Sequence, residues 1–181
     1  MDKYIFRKRK ALTKHQCDFF ISHFDKLEID GEIKIYDERR QYFRSTYDIN
    51  QEVDIKESLV NCLKEYQTKH SFLDSYPIFP QWGVERFFNI QKYDPGKTYS
   101  MEHCEHDVRA PFRILAWMIY LNDIKHKGGT YWPQQNFTSI PRAGDLYLWP
   151  AGWTHSHHGI PAPKEETVSY THLTLPTTPY V

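Results

Sequence analysis

The chain has 181 residues, a formal net charge of zero and an aromatic content of 16%. A chain of that length can bury a stable hydrophobic core without disulfides or structural metals. The aromatic content favours a β-rich interior over a helical bundle. Zero net charge argues against a nucleic-acid or membrane-surface partner, because both attract strongly basic domains. The one basic run, Arg7 to Lys10, is interpreted as a solvated N-terminal segment, with a nucleic-acid contact as the less favoured alternative.

The three cysteines, Cys17, Cys62 and Cys104, contain no CxxC pair. A small, odd number of cysteines predicts free thiols in a reducing compartment rather than a disulfide framework. The N-terminal residues contain no apolar signal-peptide core, and no stretch approaches the roughly 18 apolar residues of a membrane span. We therefore expect a soluble cytoplasmic protein with no membrane partner.

Two amphipathic helices are predicted in the first half of the chain. Thr13 and Gln16 form a capping box, and apolar residues then recur at helical spacing over 14–27. Residues 31–50 are interpreted as edge strands and loop. A second helix opens with Asp54 and Glu57 and ends before the prolines at 77 and 80. Its apolar stripe consists of Ile55, Leu59, Cys62, Leu63 and Tyr66.

From residue 83 the pattern changes to strands. The stretch 112–121 is almost continuously apolar, as in a strand buried on both faces. Shorter strands are predicted over 83–93, 131–132, 136–140 and 145–149, separated by turns that contain glycine and proline. Many short strands of this kind predict a sandwich or a barrel-like jelly roll.

Two histidine motifs carry the chemistry, one around His103 and one over residues 153–161. In a strand His103 and Glu105 project to the same face, while Cys104, interpreted as a packed thiol, points away. Adding His155 or His157 from the second motif gives two imidazoles and one carboxylate. That set is the facial triad of non-haem Fe(II) oxygenases, which leaves metal positions open. Asp107 is a less favoured contributor.

These residues belong to a longer ordered series of motifs. The series contains Tyr93-x-x-Gly96-x-x-Tyr99, His103-Cys104-Glu105, Arg113 with Tyr120-Leu121-Asn122, Gly128-Gly129, Pro141-x-x-Gly144-Asp145 and His157-His158-Gly159-Ile160-Pro161. In this order, over about half of the chain, it resembles the Fe(II)/2-oxoglutarate dioxygenases of the prolyl 4-hydroxylase type, in the variant common in tailed bacteriophages and marine bacteria.

The resemblance implies a mainly β fold with N-terminal helices, a double-stranded β-helix. Residues 1–82 would be a support segment and residues 83–166 the oxygenase core of the same domain. The cofactors would be Fe(II), 2-oxoglutarate and O₂, with ascorbate as an accessory reductant. The substrate would be a peptidyl side chain such as proline, in the cytoplasm of a bacterium or a phage-infected cell.

The resemblance also assigns site residues. The metal ligands would be His103, Glu105 and His157, with His155 as the alternate distal ligand. His157 is favoured because the family places this histidine four residues before a proline, here Pro161. Glu105 replaces the commoner aspartate. The remaining cofactor residues would be Tyr93 and Tyr120, lining the 2-oxoglutarate pocket, and Arg113, without an assigned role.

One family feature is missing. A basic residue is expected ten positions after His157, to pair with the distal carboxylate of 2-oxoglutarate, but that position is Thr167. Lys164 is three positions early, in a proline-bounded loop, and no lysine or arginine follows it. We therefore expect the chain as written to bind 2-oxoglutarate weakly or not at all.

The C-terminal segment itself is unusual. Residues 168–177 resemble the translation of a common transposase-type sequencing adapter. This predicts that the native sequence stops near Glu166, that residues 167–181 are not native and that the jelly roll is truncated at its C-terminus.

Two other functions share these features. A nucleic-acid demethylase would use the same metal chemistry but should show a basic groove, which the neutral charge disfavours. A non-catalytic, metal-binding β-helix could serve as an interaction module, and a native Thr167 would favour it.

Overall fold

The two predicted helices are present in the computed structural model, which describes residues 4–29, 35–37, 42–75, 83–106, 108, 111 and 113–174. Helix α1 spans Lys14–Ile29 and α2 spans Val53–Lys69. The capping box is confirmed: the Thr13 amide donates to Gln16 Oε1 at 2.8 Å, and the Gln16 amide donates to Thr13 Oγ1 at 3.2 Å. The buried residues of α2 are Ile55, Leu59, Cys62, Leu63 and Tyr66, as predicted.

Within the described residues, ten strands form two antiparallel sheets. The seven-stranded sheet has the order β1-β8-β5-β10-β4-β3-β2 and the small sheet has the order β7-β6-β9. The strands are β1 (Phe6–Lys8), β2 (Ile35–Asp37), β3 (Tyr42–Asp48), β4 (Phe87–Tyr93), β5 (Leu115–Tyr120), β6 (Thr130–Trp132), β7 (Phe137–Thr138), β8 (Leu146–Pro150), β9 (His158–Gly159) and β10 (Thr167–Thr174). Facing sheets of short antiparallel strands confirm the predicted jelly-roll class.

The predicted elements differ from the observed ones mainly at their ends. Strand β4 begins at Phe87 rather than at residue 83, and β7 covers two residues rather than five. Phe112 and the prolines at 77 and 80 lie outside the described residues. Three 3₁₀ helices, Ser71–Ser75, Pro133–Gln135 and Trp153–His155, were not predicted, because a single turn leaves no periodicity to detect.

Each face of the large sheet is buried against a different layer. All six residues of β5 are buried, and because strand side chains alternate, they divide between two cores. Trp117 belongs to the core shared with α1 and α2, whereas Tyr120 belongs to an aromatic core shared with the small sheet. The prediction of a strand buried on both faces is confirmed.

Strand β10 occupies the middle of the large sheet. It pairs with β4 from Thr167 opposite Tyr93, and with β5 from Ser169 opposite Tyr120. Residues after Glu166 therefore supply a central strand in this structure. Their predicted non-native origin stays a prediction.

The basic run at the N-terminus is more firmly held than a solvated segment. Arg7 Nη2 lies 2.6 Å from Asp145 Oδ2, and the Lys10 amide donates to Asp145 Oδ1 at 3.0 Å. Lys8 forms an exposed ion pair with Glu65. The run thus ties β1 to the rest of the fold. None of the described helices combines the length and hydropathy needed to cross a membrane.

Candidate metal centre

The two histidine motifs meet through their backbones. The His103 amide donates to the His157 carbonyl at 3.0 Å, and the His157 amide donates to the His103 carbonyl at 2.8 Å. This is a single antiparallel bridge, and directly opposed residues in such a bridge have neighbouring side chains. The imidazole centroids are 4.5 Å apart as a result.

Glu105 completes the group. Its Oε1 atom lies 3.5 Å from His103 Nε2 and 3.5 Å from His157 Nε2. One ligand atom from each of the three residues lies within 4.8 Å of the others. Ligands at right angles around a metal, each about 2.0–2.2 Å from it, are roughly 3 Å apart, so small side-chain movements would close the group around an ion.

Two backbone carbonyls orient the imidazoles. His103 Nδ1 lies 2.9 Å from the Met101 carbonyl, and His157 Nδ1 lies 3.0 Å from the His155 carbonyl. A carbonyl only accepts, so each Nδ1 carries a proton, and each Nε2 is directed at Glu105. Fixing the tautomer through the second ring nitrogen is the usual arrangement for metal-binding histidines.

The Glu105 carboxylate is held ionised and in place. Burial alone would raise its pKa, but hydrogen bonds from His103 and His157 outweigh burial and lower the pKa well below its usual range. The Glu105 amide donates to the Ala151 carbonyl at 2.9 Å. Arg113 Nη1 donates to the Glu105 carbonyl at 3.3 Å. An ionised carboxylate and two imidazole Nε2 atoms are a suitable donor set for a divalent cation.

Aromatic rings surround the group unevenly. The rings of Trp132 and Trp149 lie 5.8 and 5.1 Å from that of His157, whose side chain is 6% exposed. Tyr99 packs on His103 at 4.3 Å, yet the His103 and Glu105 side chains are 24% and 27% exposed. The group is therefore closed on the His157 side and open on the other.

A glycine lets the first motif approach the second. The Gly159 amide donates to the Tyr99 carbonyl at 2.8 Å, and a Cβ atom at position 159 would lie 2.0 Å from Thr98 Oγ1. A side chain here would displace the Thr98 hydroxyl and crowd the Tyr99 carbonyl, which lies 3.2 Å from that Cβ position.

The structure separates the two candidate distal ligands, His155 and His157. His155 ends the 3₁₀ helix Trp153–His155, where its Nδ1 lies 3.1 Å from Thr154 Oγ1. Among the described residues, His157 and not His155 joins His103 and Glu105. The Cys104 thiol donates to the His106 carbonyl. Asp107 lies outside the described residues.

The predicted 2-oxoglutarate residues lie on the strands next to β10. The Tyr93 hydroxyl donates to Gln91 Oε1 at 3.1 Å, and Tyr93 is paired with the buried Thr167. Tyr120 is 1% exposed; its hydroxyl lies 2.6 Å from Ser139 Oγ. Burial raises the pKa of Tyr120 to about 12, so its hydroxyl stays protonated. Their binding of 2-oxoglutarate stays a prediction.

Sequence reasoning missed the residues that support the ligands. The sequence analysis predicts only strand or motif positions for Trp132, Trp149 and Tyr99. A backbone carbonyl has no residue-specific signal, so the roles of the Met101 and His155 carbonyls cannot be predicted from the sequence. Ser156 Oγ also donates to Glu102 Oε1, which ties the two motifs together beside the ligands. The sequence offers one signal for three of these residues: Tyr99, Met101 and Glu102 lie within four residues of the candidate ligand His103.

Comparison with known proteins places the fold. No protein-family model and no curated protein sequence matches the chain. Among solved structures, it is similar to a viral collagen prolyl hydroxylase from Paramecium Bursaria Chlorella virus-1 in a 2OG complex, with a TM-score of 0.72 and 17% identity over 97% of both chains. It is also similar to a prolyl-4-hydroxylase from Pseudomonas putida, with a TM-score of 0.71 and 19% identity over 96% of this chain and 93% of that one.

A third similar structure is a prolyl hydroxylase from Trichoplax adhaerens in complex with a hypoxia inducible factor peptide fragment. Its TM-score is 0.66, with 14% identity over 95% of this chain and 83% of that one. At these identities the likeness establishes the fold, the double-stranded β-helix of prolyl 4-hydroxylase structures, and the activity has to be argued from the site.

Proposed function

We propose that this chain is an Fe(II)- and 2-oxoglutarate-dependent dioxygenase that hydroxylates a peptidyl, prolyl-type side chain. The observation that carries the proposal is the group formed by His103, Glu105 and His157. The likeness to hydroxylase structures in complex with 2OG and with a peptide supports it.

The donor set fits ferrous iron. Two imidazole nitrogens and one carboxylate are the ligands of the facial triad, which leaves positions for a co-substrate and oxygen. When bound, iron and 2-oxoglutarate supply oxidation of a C–H bond by O₂, with conversion of 2-oxoglutarate to succinate and carbon dioxide.

The surrounding residues have separate tasks. The Met101 and His155 carbonyls aim the imidazoles. Trp132 and Trp149 exclude water behind His157. Arg113 fixes the backbone at Glu105 and is itself held near Glu85, 3.4 Å away. We assign it to ligand positioning rather than to direct contact with the co-substrate.

Tyr93 and the residue at position 167 would hold the co-substrate. Thr167 is buried at the start of β10, and a threonine hydroxyl offers no charge to the distal carboxylate of 2-oxoglutarate. Neither neighbouring lysine supplies the charge: Lys164, three residues before Thr167, is exposed, and Lys92, paired across the sheet with Val168, contacts Asp25 at 3.1 Å and Glu166 at 3.4 Å through its Nζ. We therefore expect weak 2-oxoglutarate binding, which a lysine at position 167 should strengthen.

The test is succinate production from 2-oxoglutarate with Fe(II), for the chain as written and for a variant with Thr167→Lys and a family-like final strand. We expect succinate from the repaired variant and little from the original. His157→Ala in the repaired background should abolish it. Absence of turnover and of 2-oxoglutarate binding in both proteins, with metal still bound, would reject the dioxygenase.

That negative outcome would favour the second candidate, a metal-binding β-helix that acts as an interaction module. The presence of Thr167 favours this candidate, because the position expected to carry a basic residue for 2-oxoglutarate is uncharged. Genomic sequence reading unbroken through residues 168–177 would add to it, since the tail would then be native.

A further inference from the structure

A groove of about 260 Å³ lies on the helix side of the molecule, and none of its described lining residues is a candidate metal ligand. One wall belongs to α2, whose lining residues share a face because they follow one another at helical spacing. They are Lys56, Val60, Leu63, Lys64 and Gln67. The other lining residues come from positions 49–50 and from the segment 83–86 that leads into β4. The groove is therefore a separate site from the metal centre.

The floor of the groove is apolar. Ile49 and Leu63 are 2% and 4% exposed, and Val84 packs against the same core. Concave, mainly apolar surfaces with a few placed polar groups are typical small-molecule sites in proteins. The volume equals that of about nine water molecules at roughly 30 Å³ each. It suits an organic molecule with a similar number of non-hydrogen atoms.

One end of the groove is polar and ordered. Lys56 Nζ donates to Asn50 Oδ1 at 2.8 Å, and Arg86 Nε donates to Asp48 Oδ2 at 2.9 Å. The Asn50 amide donates to the other Asp48 oxygen at 2.9 Å, which joins the two pairs. Two cations share a single carboxylate in this network, so one positive charge is left over. This end therefore attracts an anion.

A second lysine extends the positive charge along the groove. Lys64 lies eight residues after Lys56 on the same helix, a distance of about 12 Å along the axis. Within the described residues, the ion pairs of lysines involve Lys8, Lys14 and Lys92 rather than these two. The long aliphatic stem of a lysine also covers apolar surface while its ammonium stays in water. The groove thus combines an apolar floor with a cationic rim.

We propose that this groove binds a small organic monocarboxylate with an apolar chain of about six to eight carbons. The carboxylate would bind at Lys56, and the chain would cover Val60, Leu63 and Val84. A lysine ammonium has three donors and Asn50 takes one, so Lys56 can donate to the ligand without losing its own support. This inference does not depend on the proposed dioxygenase activity.

Charge and apolar area together decide the class of ligand. An inorganic anion would use only the polar end and would leave the floor of the groove uncovered. A neutral lipid chain would cover the floor but would leave Lys56 without an anionic partner. A molecule with both parts uses the whole groove, and each methylene that it buries strengthens binding about fourfold.

The experiment titrates octanoate into the isotope-labelled full chain without added metal and follows backbone amide signals by NMR. The signals of Gly83 and Val84 should move, whereas that of Gly159, beside the metal ligands, should not. Lys56→Gln should weaken binding about tenfold or more, because a hydrogen bond to a charged group is lost. Lys56→Arg should retain most of the affinity. Lys69→Gln is the matched control, since Lys69 is exposed in the last turn of α2 and does not line the groove.

Two further probes separate the contributions of head and chain. Acetate and octanol should each bind at least about tenfold more weakly than octanoate. Equal affinity of octanoate for Lys56→Gln and the original chain would overturn the proposal, and so would octanoate binding no more tightly than acetate or octanol. Since the titration uses no metal and no change at a candidate ligand, its failure leaves the dioxygenase proposal standing. Absence of succinate in the turnover assay likewise leaves the groove proposal standing.

Discussion

The large sheet has one face towards the helices and one towards the small sheet, and the two faces are built differently. The helix side is packed with aliphatic and aromatic residues and contains two buried thiols, Cys17 and Cys62. The other side is mainly aromatic, contains hydrogen-bonded hydroxyls such as that of Tyr120, and borders the candidate metal ligand His157. Strand β5 contributes side chains to both cores, because successive residues of a strand point to opposite faces of the sheet. Stability and chemistry can therefore be changed separately, through adjacent residues of one strand.

The largest expected effect is on metal binding. Glu105→Gln keeps the shape of the side chain but removes its charge, so we expect divalent metal affinity to fall more than about a hundredfold. The free energy of unfolding of the metal-free protein should also fall at neutral pH, because the native state holds this carboxylate ionised through hydrogen bonds from His103 and His157. Glu102→Gln, at a carboxylate outside the ligand group, is the control. Equal losses of metal affinity in both variants would show that general charge, not ligation, binds the metal.

A change on the helix side should lower stability without changing metal affinity. Leu59 is fully buried in α2, so Leu59→Ala should lower the free energy of unfolding by about 2–5 kcal/mol. Metal affinity of the folded fraction should stay the same. Val53→Ala on the same helix is the control, since Val53 is 58% exposed and should cost little. Denaturant titration measures the first quantity, and a change in metal affinity would show that the two faces are coupled.

The buried thiols give the helix side a pH dependence. Burial raises the pKa of Cys17 to about 11 and that of Cys62 to about 12. Between about pH 9 and pH 11 the unfolded chain loses thiol protons that the native state keeps, so stability falls as pH rises. The slope is at most about 1.4 kcal/mol per pH unit for each thiol. Cys62→Ala should reduce this slope, whatever its effect on stability at neutral pH. An unchanged slope in denaturant titrations at several pH values would contradict the assignment.

The smallest effect concerns the hydroxyls on the other face. Tyr120→Phe removes a buried hydrogen bond to Ser139 and should cost about 1 kcal/mol. The control is Tyr131→Phe, whose exposed hydroxyl donates to Asn136 at 3.3 Å and should matter less. Thermal unfolding compares the two variants. A smaller loss for Tyr120→Phe than for Tyr131→Phe would mean that the aromatic core repacks around the missing hydroxyl.

The sequence was most informative where a pattern repeats. The stripe of α2 and the double burial of β5 follow from periodicity. His103 and Glu105 lie together as strand alternation predicts, although their segment forms a single β-bridge at His103 rather than a strand. The choice between His155 and His157 depended on a 3₁₀ turn, which has no period. The tryptophans behind His157 come from strands distant in the chain, so their proximity arises only when the two sheets face each other. The function of residue 167 remains a prediction at a position that the fold places beside Tyr93.

The position of β10 has a consequence for how the protein folds. Strands β4 and β5 precede it in the chain, yet β10 lies between them in the sheet. Until β10 is translated, each of them therefore has an unpaired edge that another chain can join. We expect insertion of this strand to be slow, because it closes two long loops at once, from Tyr93 to Thr167 and from Tyr120 to Ser169. During synthesis, a chaperone that shields strand edges should therefore raise the yield of folded protein.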